Sequence, residues 1–144
     1  MRRLYGPFVD GPGAVGLLVL RVIVGAAFML HGWPKIQHPF GWMPPGSPFP
    51  AFLQALAALS EFGGGLALIL GLLTPIAALG IGCTMAVAAY TLISSGAPFV
   101  ASAPATPSFE LPAVLFGAAI ALMLVGPGRL SVDAQLFRKK QDLR

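Results

Sequence analysis

Five side chains in this sequence could do chemistry: Arg21, His31, Lys35, Glu61 and Glu110. Between Val22 and Gly128 the only charged residues are Lys35, Glu61 and Glu110. Arg21 lies inside an otherwise apolar run, LLVLRVIVGAAFMLHGWPK, from Leu17 to Lys35. A charge at bilayer depth costs ~2.5 kcal/mol or more, so it turns to the bundle interior and finds a partner. Glu61 falls at comparable depth in the second apolar run, which makes an Arg21–Glu61 ion pair the simplest expectation. His31 and Lys35 share a helix face at i, i+4 spacing, with Arg21 ~15 Å further along the axis. Glu110 opens the last apolar run at the level of His31 and Lys35. Together the five form an expected intramembrane polar cluster able to bind a quinone carbonyl, an anion or a proton in transit. Each also has a plain structural reading: a helix-orienting staple for Arg21–Glu61, snorkelling for Lys35, dipole compensation for Glu110 and interfacial solvation for His31.

Other chemistries find little support. His31 and His38 are seven residues apart across Pro34, with no third histidine, so a metal site is not expected. Cys83 is the single cysteine, which excludes an internal disulfide and a CxxC pair; in an apolar run it reads as a small packing residue. There is no GxGxxG following a strand, no phosphate-binding P-loop and no Ser/His/Asp set. Catalytic residues therefore stay unassigned.

The elements that position these residues are apolar helices. The chain is 56% hydrophobic and 10% charged, with a mean hydropathy of +0.82, against about 25% charged in soluble domains. Runs near 20 residues are long enough to span a bilayer core of ~30 Å. Expected helices cover residues 14–33, 51–72, 75–94 and 109–125, in one domain over 1–144. Pro34 is expected to end or kink the first, since it lacks a backbone donor. Gly6-Pro7 and Gly11-Pro12-Gly13 read as breakers ahead of it. Arg21 interrupts what would otherwise be a signal-peptide core, so the first helix is expected to be retained. Residues 37–50, QHPFGWMPPGSPFP, form an aromatic and proline-rich loop, and 95–108 a second, uncharged one. Ala78, Gly82 and Ala86, and then Gly117 and Ala121, repeat small residues at four-residue spacing, a pattern for close helix packing in lipid. Ser131 and Asp133 read as N-cap and first-turn acid of a short amphipathic helix.

The net charge of +4 is concentrated at the ends: Arg2 and Arg3, then Arg129, Arg138, Lys139, Lys140 and Arg144. Basic ends mark the cytoplasmic side. The fold expected is thus an all-α integral membrane protein, an antiparallel four-helix bundle with both termini and the basic tail 129–144 in the cytoplasm. Lipid head groups account for the basic tail, so a nucleic-acid partner is not expected.

These residues resemble the DoxX family. The Leu17–Lys35 run resembles its first signature, an apolar run with arginine, glycine and phenylalanine ahead of HGxxK. SEFGGGLALILGLLT, residues 60–74, resembles its second, a glutamate followed by glycines and GLLT. Glu110 opening the last helix and GPGRLSVD at 126–133 resemble the third and fourth. The resemblance implies a four-helix protein of the bacterial inner membrane, with both termini cytoplasmic, associated with redox systems. Members include a small subunit of a thiosulfate:quinone oxidoreductase or terminal quinol oxidase, and others are linked to thiol and oxidative-stress homeostasis. The loop carrying MPPGSPFP is longer than the family pattern.

The expectation is a membrane subunit of a redox system, touching quinone through the five-residue cluster and working with protein partners or as a homo-oligomer. Two rivals are a non-enzymatic scaffold that anchors soluble oxidoreductases through the basic tail, and a small-solute or proton pathway.

Overall fold

The computed structural model describes residues 7–138, and the described residues are helical with no strand. The basic residues Arg2, Arg3, Lys139, Lys140 and Arg144, and the side chain of Arg138, lie outside what is described. The helices are α1 (Gly11–Gln37), α2 (Ala51–Leu70), α3 (Thr74–Ser94), α4 (Glu110–Val125) and α5 (Val132–Arg138). The first three are long and apolar enough to cross a membrane; α4, with 16 residues, is shorter.

Helix α1 begins earlier and ends later than its composition suggests. Asp10 caps it, accepting a hydrogen bond from the Gly11 amide at 2.8 Å. Pro12 falls in the first turn, where a missing donor breaks no helical bond, so Gly11-Pro12-Gly13 starts the helix instead of blocking it. Pro34 does not end α1 either: the helix runs on to Gln37, carrying Lys35 round to the side where α2 packs. Only the donor of Pro34 itself is lost, and the chain leaves the helix one turn later at His38.

Glycines set how α1 and α2 meet. A Cβ on Gly25 would lie 2.6 Å from the Gly65 carbonyl oxygen, and one on Gly32 would lie 2.6 Å from the Phe62 amide nitrogen. The two backbones therefore touch at Gly25–Gly65 and at Gly32–Phe62, which fixes their register. Gly64 makes the matching approach to Ile81 of α3. Of the small-residue repeats read from the sequence, Ala78 and Gly82 are buried, whereas Ala86, Gly117 and Ala121 are exposed and serve no described helix contact. Cys83 is likewise exposed, on the outside of α3, so it is not a packing residue. Val24, Phe28, Leu68, Ala78, Ile81, Ala119 and Leu122 form the core between the four long helices.

Helix α2 stops two residues short of the expected Leu72. Gly71 takes the left-handed conformation (φ 67°), and the Leu72 and Gly71 amides donate to the Ala67 and Leu68 carbonyls, the Schellman arrangement. Leu73 follows at φ 49°, a costly conformation for a side chain with a Cβ. Asp133 holds it there. Its Oδ1 accepts from the Leu73 amide at 2.8 Å and its Oδ2 from the Thr74 amide at 2.9 Å, capping α3 from a distant part of the chain. Ser131 caps α5 as its spacing predicts, accepting from the Ala134 amide at 3.1 Å.

Candidate functional site

The register of α1 on α2 decides which charges meet. Because Gly32 packs on Glu61 and Phe62, the residue one turn beyond it, Lys35, reaches the carboxylate. Lys35 Nζ lies 2.6 and 2.7 Å from the two oxygens of Glu61, donating to both. Arg21, one turn before Gly25, lies instead against Leu68 and Gly71. The expected Arg21–Glu61 pair is therefore not formed; the glycine contacts place the two residues at different levels.

The two ends of the pair differ in access. The Glu61 side chain is 4% exposed and that of Lys35 24%. Lys35 also sits over the Trp42 ring, 4.6 Å from its centroid, so the ammonium has an aromatic face on its more open side. Trp42 is held there by Gln54, a buried residue of α2. The indole Nε1 donates to the Gln54 carbonyl at 2.9 Å, the Gln54 side-chain oxygen accepts from the Met43 amide at 3.1 Å, and its amide donates to the Phe49 carbonyl at 3.0 Å. Five prolines stiffen the loop, and one glutamine fastens it. Neither Trp42 nor Gln54 is readable as a site residue from the sequence; a polar side chain near the start of an apolar helix is the one available signal.

A cavity of about 170 Å³ lies beside the pair, lined by Phe28, His31, Lys35, Glu61, Met85 and Leu115, with Leu111 and Pro112 closing its α4 side. The structure thus brings together three of the five predicted residues: His31, Lys35 and Glu61. Glu110 is exposed and makes no ion pair among the described residues; its neighbours Leu111 and Pro112 reach the cavity while its own side chain does not.

Arg21 forms a second polar centre. It is 0% exposed, donating from Nη1 to the Leu68 carbonyl at 3.2 Å and from Nη2 to the Leu130 carbonyl. Asp133 lies close enough to act on its charge. Arg21 therefore fastens the segment after α4 to the α2–α3 turn, where a Cβ on Gly71 would collide with the guanidinium. Nearby, Arg129 pairs with Asp10 and its amide donates to the Val9 carbonyl at 2.9 Å, tying the same segment to the start of α1. The residue types GPGRLSVD give no hint that they wrap a buried arginine.

The DoxX family model matches residues 16–94, more than half of the chain, including Arg21, His31, Lys35 and Glu61. The chain belongs to the DoxX family. Two relatives of this DoxX protein extend the similarity over nearly its whole length. It is 33% identical to the inner membrane protein YqjF of Escherichia coli, over 87% of this chain and 95% of YqjF. It is 30% identical to a Bacillus subtilis protein named "Putative oxidoreductase CatD", over 89% of this chain and 92% of the relative. No solved structure matches it significantly. With its several apolar helices, the DoxX chain is a multi-pass bacterial inner membrane protein, and its exposed apolar surface faces the lipid bilayer.

Proposed function

We propose that this DoxX protein is the membrane subunit of a redox system and that its Lys35–Glu61–His31 cavity receives a quinone head group. The observation that carries this reading is the Lys35–Glu61 pair, its carboxylate buried and accepting twice from the part-buried lysine, opening onto a small, mostly apolar cavity. At about 170 Å³ the cavity is below the ~300–1,000 Å³ of pockets for drug-sized ligands, so it suits one ring and not a whole long-tailed molecule. Phe28, Met85 and Leu115 offer apolar walls to a ring, and Lys35 Nζ offers a donor to a carbonyl oxygen. Glu61 balances the lysine charge in a low-dielectric setting, and His31 at the rim can take or give a proton. A bound quinone would supply the two-electron chemistry; the chain's own residues would bind, orient and exclude water. The name of CatD supports the same class of function.

The membrane arrangement that goes with this reading is an antiparallel four-helix bundle with both termini cytoplasmic. Its support is the contact order of α1 on α2, Gly25 with Gly65 and Gly32 with Phe62, together with basic residues at both ends of the chain. The Lys35–Glu61 cavity then faces the outer half of the membrane and the Arg21 centre the cytoplasmic half.

The test is extraction of the protein from its native membrane and mass spectrometry of the bound small molecules. Quinone should co-purify with the unaltered chain and fall at least about tenfold with Lys35→Met or Glu61→Gln, the equivalent of ~1.4 kcal/mol. A folded, unaltered protein free of quinone, in a preparation where other quinone proteins retain theirs, would overturn the reading.

A further inference from the structure

Lys35 belongs to two cavities. Besides the inner one it lines a more open vestibule of about 440 Å³, whose other walls are Pro34, His38, Gly41 and Trp42. That volume lies within the ~300–1,000 Å³ range of small-molecule sites. The vestibule has one cation on its walls, Lys35, beside the imidazole of His38, and no carboxylate. Its aromatic wall is built, since Gln54 holds both the Trp42 indole and the neighbouring Met43 amide in place. Among the described residues, the single countercharge to Lys35 is Glu61, which reaches it from the inner side.

We propose that the vestibule is a binding site for a small organic anion, held by Lys35 and His38 beside the Trp42 ring. Glu61 acts there as a built-in competitor for the same ammonium. The Lys35–Glu61 pair is then the partition between vestibule and inner cavity. An incoming carboxylate takes over some or all of the hydrogen bonds that Lys35 now gives Glu61, and the lysine moves toward the loop. This goes beyond the quinone reading and does not depend on it, because the ligand, the chamber and two of the residues, His38 and Trp42, are different.

The competition gives the proposal an unusual sign. Removing an anionic residue from the far side of the lysine should strengthen anion binding, and a merely structural ion pair predicts no such gain. The chain has two tryptophans, and Trp33 packs on Phe62 away from the vestibule, so Trp33→Phe leaves Trp42 as the sole reporter. In that background, the purified full chain in lipid nanodiscs is titrated with benzoate while Trp42 fluorescence is followed. Saturable quenching is expected, tightening about tenfold or more with Glu61→Gln, a change of ~1.4 kcal/mol. Lys35→Arg keeps the charge but not the fit of the ammonium beside Trp42, so it should weaken binding less than Lys35→Met, which should abolish it. Should Lys35→Met fail to fold, the Glu61→Gln result decides alone. Unsaturable quenching, or an affinity unchanged or weakened by Glu61→Gln, overturns the proposal. Either result leaves the quinone measurement standing on its own.

Discussion

Lys35 and Glu61 illustrate how a buried charge pair constrains substitution. Removing one partner leaves the other charge without compensation, at a typical cost of ~3–5 kcal/mol, whereas replacing both with apolar groups of similar volume is often neutral. Glu61→Leu alone strands Lys35, which keeps some access to solvent, so it should destabilise the fold by less than that, ~1–3 kcal/mol, and the double variant Lys35→Met with Glu61→Leu should recover most of the loss. Denaturant or thermal unfolding in detergent measures the difference; a double variant no more stable than the single one would show that the loss is not the cost of a stranded lysine charge. The sequence made both residues visible, since charges in an apolar run are conspicuous. It did not reveal their pairing. Counting depth from estimated helix ends put Glu61 opposite Arg21, and two features moved it: α1 starts at Gly11 and continues past Pro34, and glycine contacts set the register on α2. Glu110 misled for a related reason, because a residue at the right level can still point away from the bundle.

At the level of elements, the α1–α2 hairpin depends on backbone approach at a few positions. Gly25 is one of the demanding ones, with the Gly65 carbonyl and the Ile69 side chain both inside 3 Å of a would-be Cβ. Gly25→Ala should push the helices apart and cost ~1–3 kcal/mol, as overpacking does. Gly117, mid-way along α4 with nothing within 4 Å of its would-be Cβ, is the control: Gly117→Ala should be neutral or stabilise by up to ~1 kcal/mol, the ordinary helix-propensity gain. Equal effects in a thermal melt would mean that the register is not set by glycine contacts. The helices themselves were legible to within a few residues, because apolar length and turn residues are local signals. Which glycines touch another backbone was not. SEFGGGL contains three in a row, and Gly64 and Gly65 are buried against different helices while Gly63 meets only a side chain of its own.

Across the whole molecule, α1 carries two polar centres, Lys35 with Glu61 near its C-terminal end and Arg21 with the Leu130 carbonyl near its middle. Fourteen residues separate Lys35 from Arg21, or ~21 Å of helix, so the pair and the arginine lie at well-separated levels along the bundle. The proposed topology predicts that a fluorescent protein fused after Arg144 will fold and fluoresce. A periplasm-dependent phosphatase inserted at Gly46 should be active; the reverse pattern would invert the bundle. Arg21 also bears on how the protein is made. Its acceptor at Leu130 is translated more than a hundred residues after the arginine itself. Until that segment emerges and folds back, a guanidinium sits in the bilayer half-satisfied. Assembly is thus completed from the last stretch of the chain, and a protein cut after Gly128 should insert, remain unlocked and be cleared by membrane proteases. Pulse-chase degradation of that truncation beside the full chain measures the effect, with a half-life shortened several-fold as the expected result and an equal half-life as the refutation.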